Sequence, residues 1–138
     1  MFLNNSYGRV VDILHRSLDV SMLRRDVIAD NLTNGDTPNF KRSNINFEAE
    51  LKRAFQSQLK PALELEMTHE KHIPSYKPID YRTVGPRKVL DYLSQTDANG
   101  NNVDLEEEAT HLLKNQLNIQ LMMHVVSNQF KQIQMVAR

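Results

Sequence analysis

From Asp104 to the end of the chain, apolar residues return every three and four positions. One row reads Leu105, Leu112, Ile119, Val126 and Ile133, and a second reads Ala109, Gln116, Met123, Phe130 and Ala137. Only Gln116 interrupts them, so the heptad holds over nearly five repeats and predicts one continuous helix. Asp104-Leu-Glu-Glu107 opens it as a capping box with Asp as the cap. A helix from there to the terminus is a rod on the order of 50 Å. A further apolar row, Leu113, Leu117, Leu121 and Val125, lies beside the heptad seam, and amides (Asn115, Asn118, Gln120, Asn128, Gln129) fill much of the rest.

The first 37 residues carry the same period. Charges at Arg9, Asp12, Arg16, Asp19, Asp26 and Asp30 form one stripe, interrupted by Leu23, with Asp12 and Arg16 an i,i+4 pair. Most of the remaining circumference is apolar: Val10, Val11, Ile13, Leu14, Leu18, Val20, Met22, Val27, Ile28. This predicts a helix from about Ser6 to about Thr33 with a wider apolar face than a surface helix needs. Asn34-Gly35 suits a left-handed stop, Asp36 an Asx turn, and Pro38 pushes Thr37 to an extended conformation. Phe40 offers a ring that can fold back on the helix end.

All five prolines fall between positions 38 and 86, which removes long helices from the middle. Residues 46–59 still show helical spacing through Phe47, Leu51, Ala54, Phe55 and Leu59, with Asn46 as cap and Pro61 as stop. Beyond them, Leu63 to Met67 alternates like a strand and 74–86 reads as extended loop. The expected fold class is mainly α: long N- and C-terminal helices paired as a coiled-coil-like layer, with an irregular middle holding one short helix. The expected organisation is 1–37, 38–103 and 104–138, the two terminal helices forming one domain. Pairing covers one seam of each helix. Rows at Ile13, Val20, Val27 and at Leu113, Leu117, Leu121 are then left exposed, which marks an association surface.

The chain has 138 residues, and its 17 Lys+Arg balance 17 Asp+Glu. That balance argues against generic nucleic-acid binding, which needs a basic surplus. Hydrophobic content is 40% with no Trp, so a self-sufficient core is not assured. The absence of Cys removes disulfides, thiolate metal sites and Cys nucleophiles. No apolar run approaches the roughly 20 residues of a spanning helix, and the opening stretch lacks the basic and apolar regions of a cleavable secretion signal.

Candidate chemistry is sparse. His69 and His72 in Thr68-His-Glu-Lys-His72 are three apart, not the four of a zincin helix, and a capped turn explains them better. Asp97, Asn99, Asn101 and Glu108 fall at positions 1, 3, 5 and 12 of a calcium loop, but Asn102 stands where that loop needs Gly. A polar turn leading to the Asp104 cap is the simpler reading. No phosphate loop, dinucleotide fingerprint or nucleophile triad is present in the sequence. The expectation is no catalytic residue, no metal, no cofactor and no enzyme activity.

Ala29-Asp-Asn31-Leu32-Thr-Asn34-Gly-Asp-Thr37-Pro38-Asn-Phe40-Lys41 resembles the N-terminal signature of bacterial flagellar rod and hook proteins. Asp30 and Thr33 stand where that signature more often has Asn and Ala. Asp97 to Glu108 resembles the segment that opens the C-terminal helix in the proximal-rod type, as do Thr68 to Ile73 and the small size. The resemblance implies a rod subunit in the periplasmic part of the basal body, exported unfolded by the flagellar type III apparatus without a cleaved signal. It implies polymerisation through the terminal helices into the drive shaft around the export channel. Implied partners are other copies, other proximal rod proteins, the rod–ring adaptor FliE and the export gate. The expected assembly interface is Val11, Leu14, Leu18, Ile28, Leu105, Leu112, Ile119, Met123, Val126, Phe130 and Ile133. The family-motif turn is Asn31, Leu32, Asn34, Thr37, Pro38 and Phe40. The alternative reading is a soluble helical adaptor that binds one partner helix.

Overall fold

The computed structural model describes residues 6–60, 66, 68–72, 76–94 and 100–137. The strand-like stretch expected at 63–67, apart from Glu66, and the start of the calcium-like loop, Asp97 and Asn99, lie outside the described residues. The described elements are helix α1 (Ser6–Thr33), strand β1 (Ser43–Asn46), helix α2 (Glu48–Leu59), strand β2 (Arg87–Leu90) and helix α3 (Leu105–Val136). The fold is mainly α, with the two long terminal helices packed together and one short helix between them, as the periodicity requires. The two short strands are an addition that the sequence pattern did not suggest.

The chain divides into two compact units. The larger joins residues up to Ile45 with those from Lys88 onward. In it, Asn31 bonds Glu108 and Asn115 bonds Ser21, so α1 and α3 run antiparallel. At a three-four spacing, α3 turns Glu108, Leu112, Asn115, Ile119, Met122, Val126 and Gln129 inward, all buried or half-buried. The matching line on α1 is Leu14, Ser17, Ser21, Arg24, Ile28, Asn31 and the following Gly35.

This corrects the expected seam. The row of Leu112, Ile119 and Val126 is on it, but Ala109, Gln116, Met123 and Phe130 are exposed. Their places are taken by Glu108, Asn115, Met122 and Gln129. Val20 and Val27 were expected to stay open and are instead buried at 4% exposure each. The charged stripe of α1 mostly faces solvent, with Arg16 Nε 3.7 Å from Asp12.

Asp104 caps α3 as expected, its carboxylate accepting from the N–H groups of Glu106 and Glu107. The end of α1 differs from expectation. Gly35 is not left-handed; the positive φ belongs to Asn39 (61°). Pro38 and Asn39 occupy the central positions of a turn closed by Phe40 N–H to Thr37 O at 3.1 Å, the type II arrangement, which wants Pro first and Gly or Asn second. Gly35 serves a close approach instead: a Cβ there would stand 2.8 Å from Leu105 Cδ2.

The smaller unit is Asn46–Arg87. Phe47, not Asn46, precedes α2, and it makes no side-chain cap. Asn46 instead ends β1. Lys60 is extended, as the residue before Pro61 must be. Phe47 and Ala54 are buried, but Leu59, expected on the same face, is 84% exposed. Ser57 Oγ donates to Ala54 O and accepts from Ile79 N–H, and the Phe55 and Tyr81 rings lie 5.7 Å apart.

Candidate functional site: the polar joint of the helical hairpin

The segment that follows α1 and the segment that precedes α3 meet in one buried polar joint. Asn31 is 1% exposed. Its side-chain oxygen accepts from Ser43 N–H at 3.0 Å, and its amide donates to Ser43 O at 2.8 Å and to Glu108 Oε2 at 3.2 Å. One side chain thus closes the β1 edge as a neighbouring strand would, and ties it to α3. Arg42 is the second hub. Its Nε lies 2.9 Å from Glu108 Oε1, its Nη1 3.1 Å from Glu107 Oε2 and its Nη2 3.3 Å from His111 Nδ1. Its backbone N–H donates to Asn102 Oδ1, and its carbonyl accepts from Asp91 N–H.

Glu108 is also 1% exposed. A carboxylate so removed from water survives because a guanidinium and an amide both address it. The stretch 100–102 is fastened in the same way. Asn101 donates to Gly35 O at 2.7 Å, Lys41 Nζ donates to Gly100 O at 2.7 Å, and Asn102 donates to Asp91 O at 2.6 Å. Gly100 has φ +77, and its Cα faces the left-handed Asn39. Asp91 turns back on the following chain. The Ser94 hydroxyl at 2.6 Å, then the N–H groups of Leu93 and Ser94, hold its carboxyl below the ordinary value, and the Arg42 charge acts in the same direction.

Of the motif-turn residues, Asn31 is the structural centre. Asn34 bonds Asp30 O at 2.8 Å. Thr37, Pro38 and Phe40 build the type II turn. Phe40 lines one open groove together with Asp30, Asn31 and Asn34. Leu32 is half-buried. Of the residues expected at an assembly interface, Ile28 is buried within the hairpin, and Leu112, Ile119 and Val126 sit on its inner seam. Val11, Leu14 and Leu18 are half-buried, whereas Leu105, Met123, Phe130 and Ile133 are exposed.

Asn101 and Glu108, two of the calcium-like positions, direct their side chains to Gly35 and Arg42. His69 Nδ1 accepts from Lys71 N–H at 3.2 Å, which is the capped turn expected there. Among the described residues no group of three metal-ligating side chains comes together, and no helix is long and apolar enough to cross a membrane.

Arg42 and Ser43 were not singled out from sequence, and Asn102 and Glu108 were weighed there only as positions of a calcium-like loop. Their signal was faint: Glu108 is the last acidic residue of the chain, and Arg42 directly follows the N-terminal motif.

The two segments that resemble the flagellar rod and hook proteins interlock at one end of this two-helix hairpin. No protein-family model matches the chain. Individual relatives do, and they narrow the class. The flagellar basal body rod protein FlgB of Borreliella burgdorferi is 46% identical over 134 residues, 97% of this chain and 99% of that protein. FlgB of Borrelia hermsii is 42% identical over the same shares, and FlgB of Escherichia coli 31% identical over 83% of each chain. The chain belongs to the FlgB family of flagellar basal-body rod proteins.

Proposed function

We propose that the chain is a structural subunit, not an enzyme, of the proximal rod. In this reading it polymerises through its terminal helices into the shaft that crosses the periplasm, transmits torque and encloses the export channel. Its neighbours are further copies, the other proximal rod proteins and the adaptor FliE, and the export gate delivers it.

One observation carries the reading. The inner seam already combines Leu112, Ile119, Met122 and Val126 with hydrogen bonds from Asn31 and Asn115 and the Arg42–Glu108 ion pair, while a separate row of leucines on α3 points outward. Leu113, Leu117 and Leu121 are 61%, 56% and 62% exposed, one helical turn apart, on the face of α3 turned away from α1. Burying such side chains contributes roughly 1 kcal/mol or more apiece. A row repeated in every subunit therefore favours assembly without weakening the hairpin itself.

The test is Leu117→Asp in cells lacking their own copy. The purified variant should keep its far-UV circular dichroism and still be exported, while rods and swimming are lost. Swimming cells with intact rods would refute the proposal.

A further inference from the structure

Among the described residues, the two-stranded ribbon has one closed edge and one open edge. Asp91 N–H donates to Arg42 O, and the strands span 43–46 and 87–90, so they run antiparallel with 44 facing 89 and 46 facing 87. In that register, backbone groups alternate in direction. Ser43 turns its N–H and C=O away from β2, and there Asn31 takes both. On β2, Arg87, Val89 and Asp91 address β1, which leaves the N–H and C=O of Lys88 and Leu90 on the outer edge. All four β2 residues are exposed, and Tyr92 and Leu93 extend the apolar strip at 71% and 98% exposure.

We infer that this open edge is a self-pairing surface, on which β2 of a second copy docks antiparallel about Val89. The sequence Arg87-Lys-Val-Leu-Asp91 is complementary to its own reverse. Centred on Val89, the pairing sets Arg87 opposite Asp91 of the other copy twice, on one face of the ribbon. Lys88 and Leu90 exchange backbone hydrogen bonds with Leu90 and Lys88 of the partner. Opposite charges directly across a ladder stabilise, and like charges destabilise. Asp91 remains ionised for this role, since its carboxyl is held below the ordinary value. The pairing is two-fold and closes on itself, so it makes a dimer and not a filament. It is thus separate from the helical packing proposed for the rod and does not rest on it.

The chain contains no Cys, so a single introduced thiol reports the register. In the full chain, Val89→Cys places two thiols at a non-hydrogen-bonded pair, with Cα atoms about 4.5 Å apart, inside the range a disulfide spans. Lys88→Cys places them on a diagonal beyond about 7 Å, which a disulfide does not span. With oxidised glutathione as oxidant, Val89→Cys should form covalent dimer at least about ten-fold faster than Lys88→Cys.

Adding Leu90→Pro removes an outward N–H that β1 does not use, and should reduce the rate to the Lys88→Cys level. Adding Arg87→Glu sets like charges across the pair and should slow it by about two- to five-fold. This second variant covers the case in which the proline disturbs the strand. Adding Leu117→Asp should change nothing, which separates this dimer from helix-driven assembly. Equal rates for the two cysteine variants, or loss of the Val89→Cys dimer on adding Leu117→Asp, would overturn the inference.

Discussion

Removing the Arg42 guanidinium is the most severe single change the joint offers. In Arg42→Met the aliphatic stem is kept, and the backbone bonds to Asn102 and Asp91 are untouched. What disappears is the cation 2.9 Å from Glu108 Oε1. Glu108 then keeps only the Asn31 amide, at 1% exposure. Deleting one member of a buried pair costs about 3–5 kcal/mol, because the other charge is left uncompensated. Arg42 is itself 13% exposed and Glu107 half in water, so the lower end, about 3 kcal/mol, applies and Glu107 adds little. Glu108→Gln leaves an Arg that still reaches Glu107 and solvent, and should cost only about 1–2 kcal/mol. Arg42→Met combined with Glu108→Met removes both charges and should be less damaging than Arg42→Met alone. Urea unfolding followed by circular dichroism at the helical band measures all three. An Arg42→Met loss under about 1 kcal/mol, or a double variant no better than the single, would refute the account of the joint.

Two further expectations follow from local geometry. Gly100→Ala forces a left-handed Ala whose Cβ stands 3.2 Å from Asn39 Oδ1, and should lower stability by about 1–2 kcal/mol. Gly35→Ala meets only the mobile end of Leu105 at a permitted φ and should stay within about 1 kcal/mol of the parent; thermal melts that rank the two in the opposite order would contradict the roles assigned to these glycines. For Asp91, the folded carboxyl titrates below its ordinary value of 3.8, so the ionised form stabilises the fold. That contribution is complete above the ordinary value and is lost as pH falls through the lowered one. Asp91→Asn should therefore be less stable than the parent near neutrality, with the gap closing over the acid interval below the ordinary value of 3.8. A gap that stays constant over that interval in urea titrations would count against it.

The helices were legible because each carries its own signals. The Asp104 cap, the Pro61 stop and the three-four period of α1 are local, and local rules place them. The inner line of α3 was not legible, for a specific reason. Periodicity finds a seam by its apolar residues, and this seam is built from Glu108, Asn115 and Gln129 alongside Leu112, Ile119, Met122 and Val126. The apolar Met123 and Phe130 lie outside it, so hydrophobicity pointed one position aside. The ribbon escaped because Ser-Asn-Ile-Asn and Arg-Lys-Val-Leu are too short and too polar to alternate visibly, and their pairing depends on Asn31, twelve residues before Ser43. Asn39 took the left-handed role given to Gly35 because Pro38 fixes the turn type one step later in the chain. Arg42 and Glu108 are distant in sequence, and no local pattern couples them.

The antiparallel course of α1 and α3 also fixes where attachments go. Both helices leave the joint in the same direction, and α1 alone is 28 residues, roughly 42 Å. Ser6 and Val136 therefore lie at the tip remote from Arg42. A dye or spin label placed beside either one samples that tip, and one placed at Asn44 samples the base, so a single pair of labels measures whether the hairpin frays from its free end while its root stays shut.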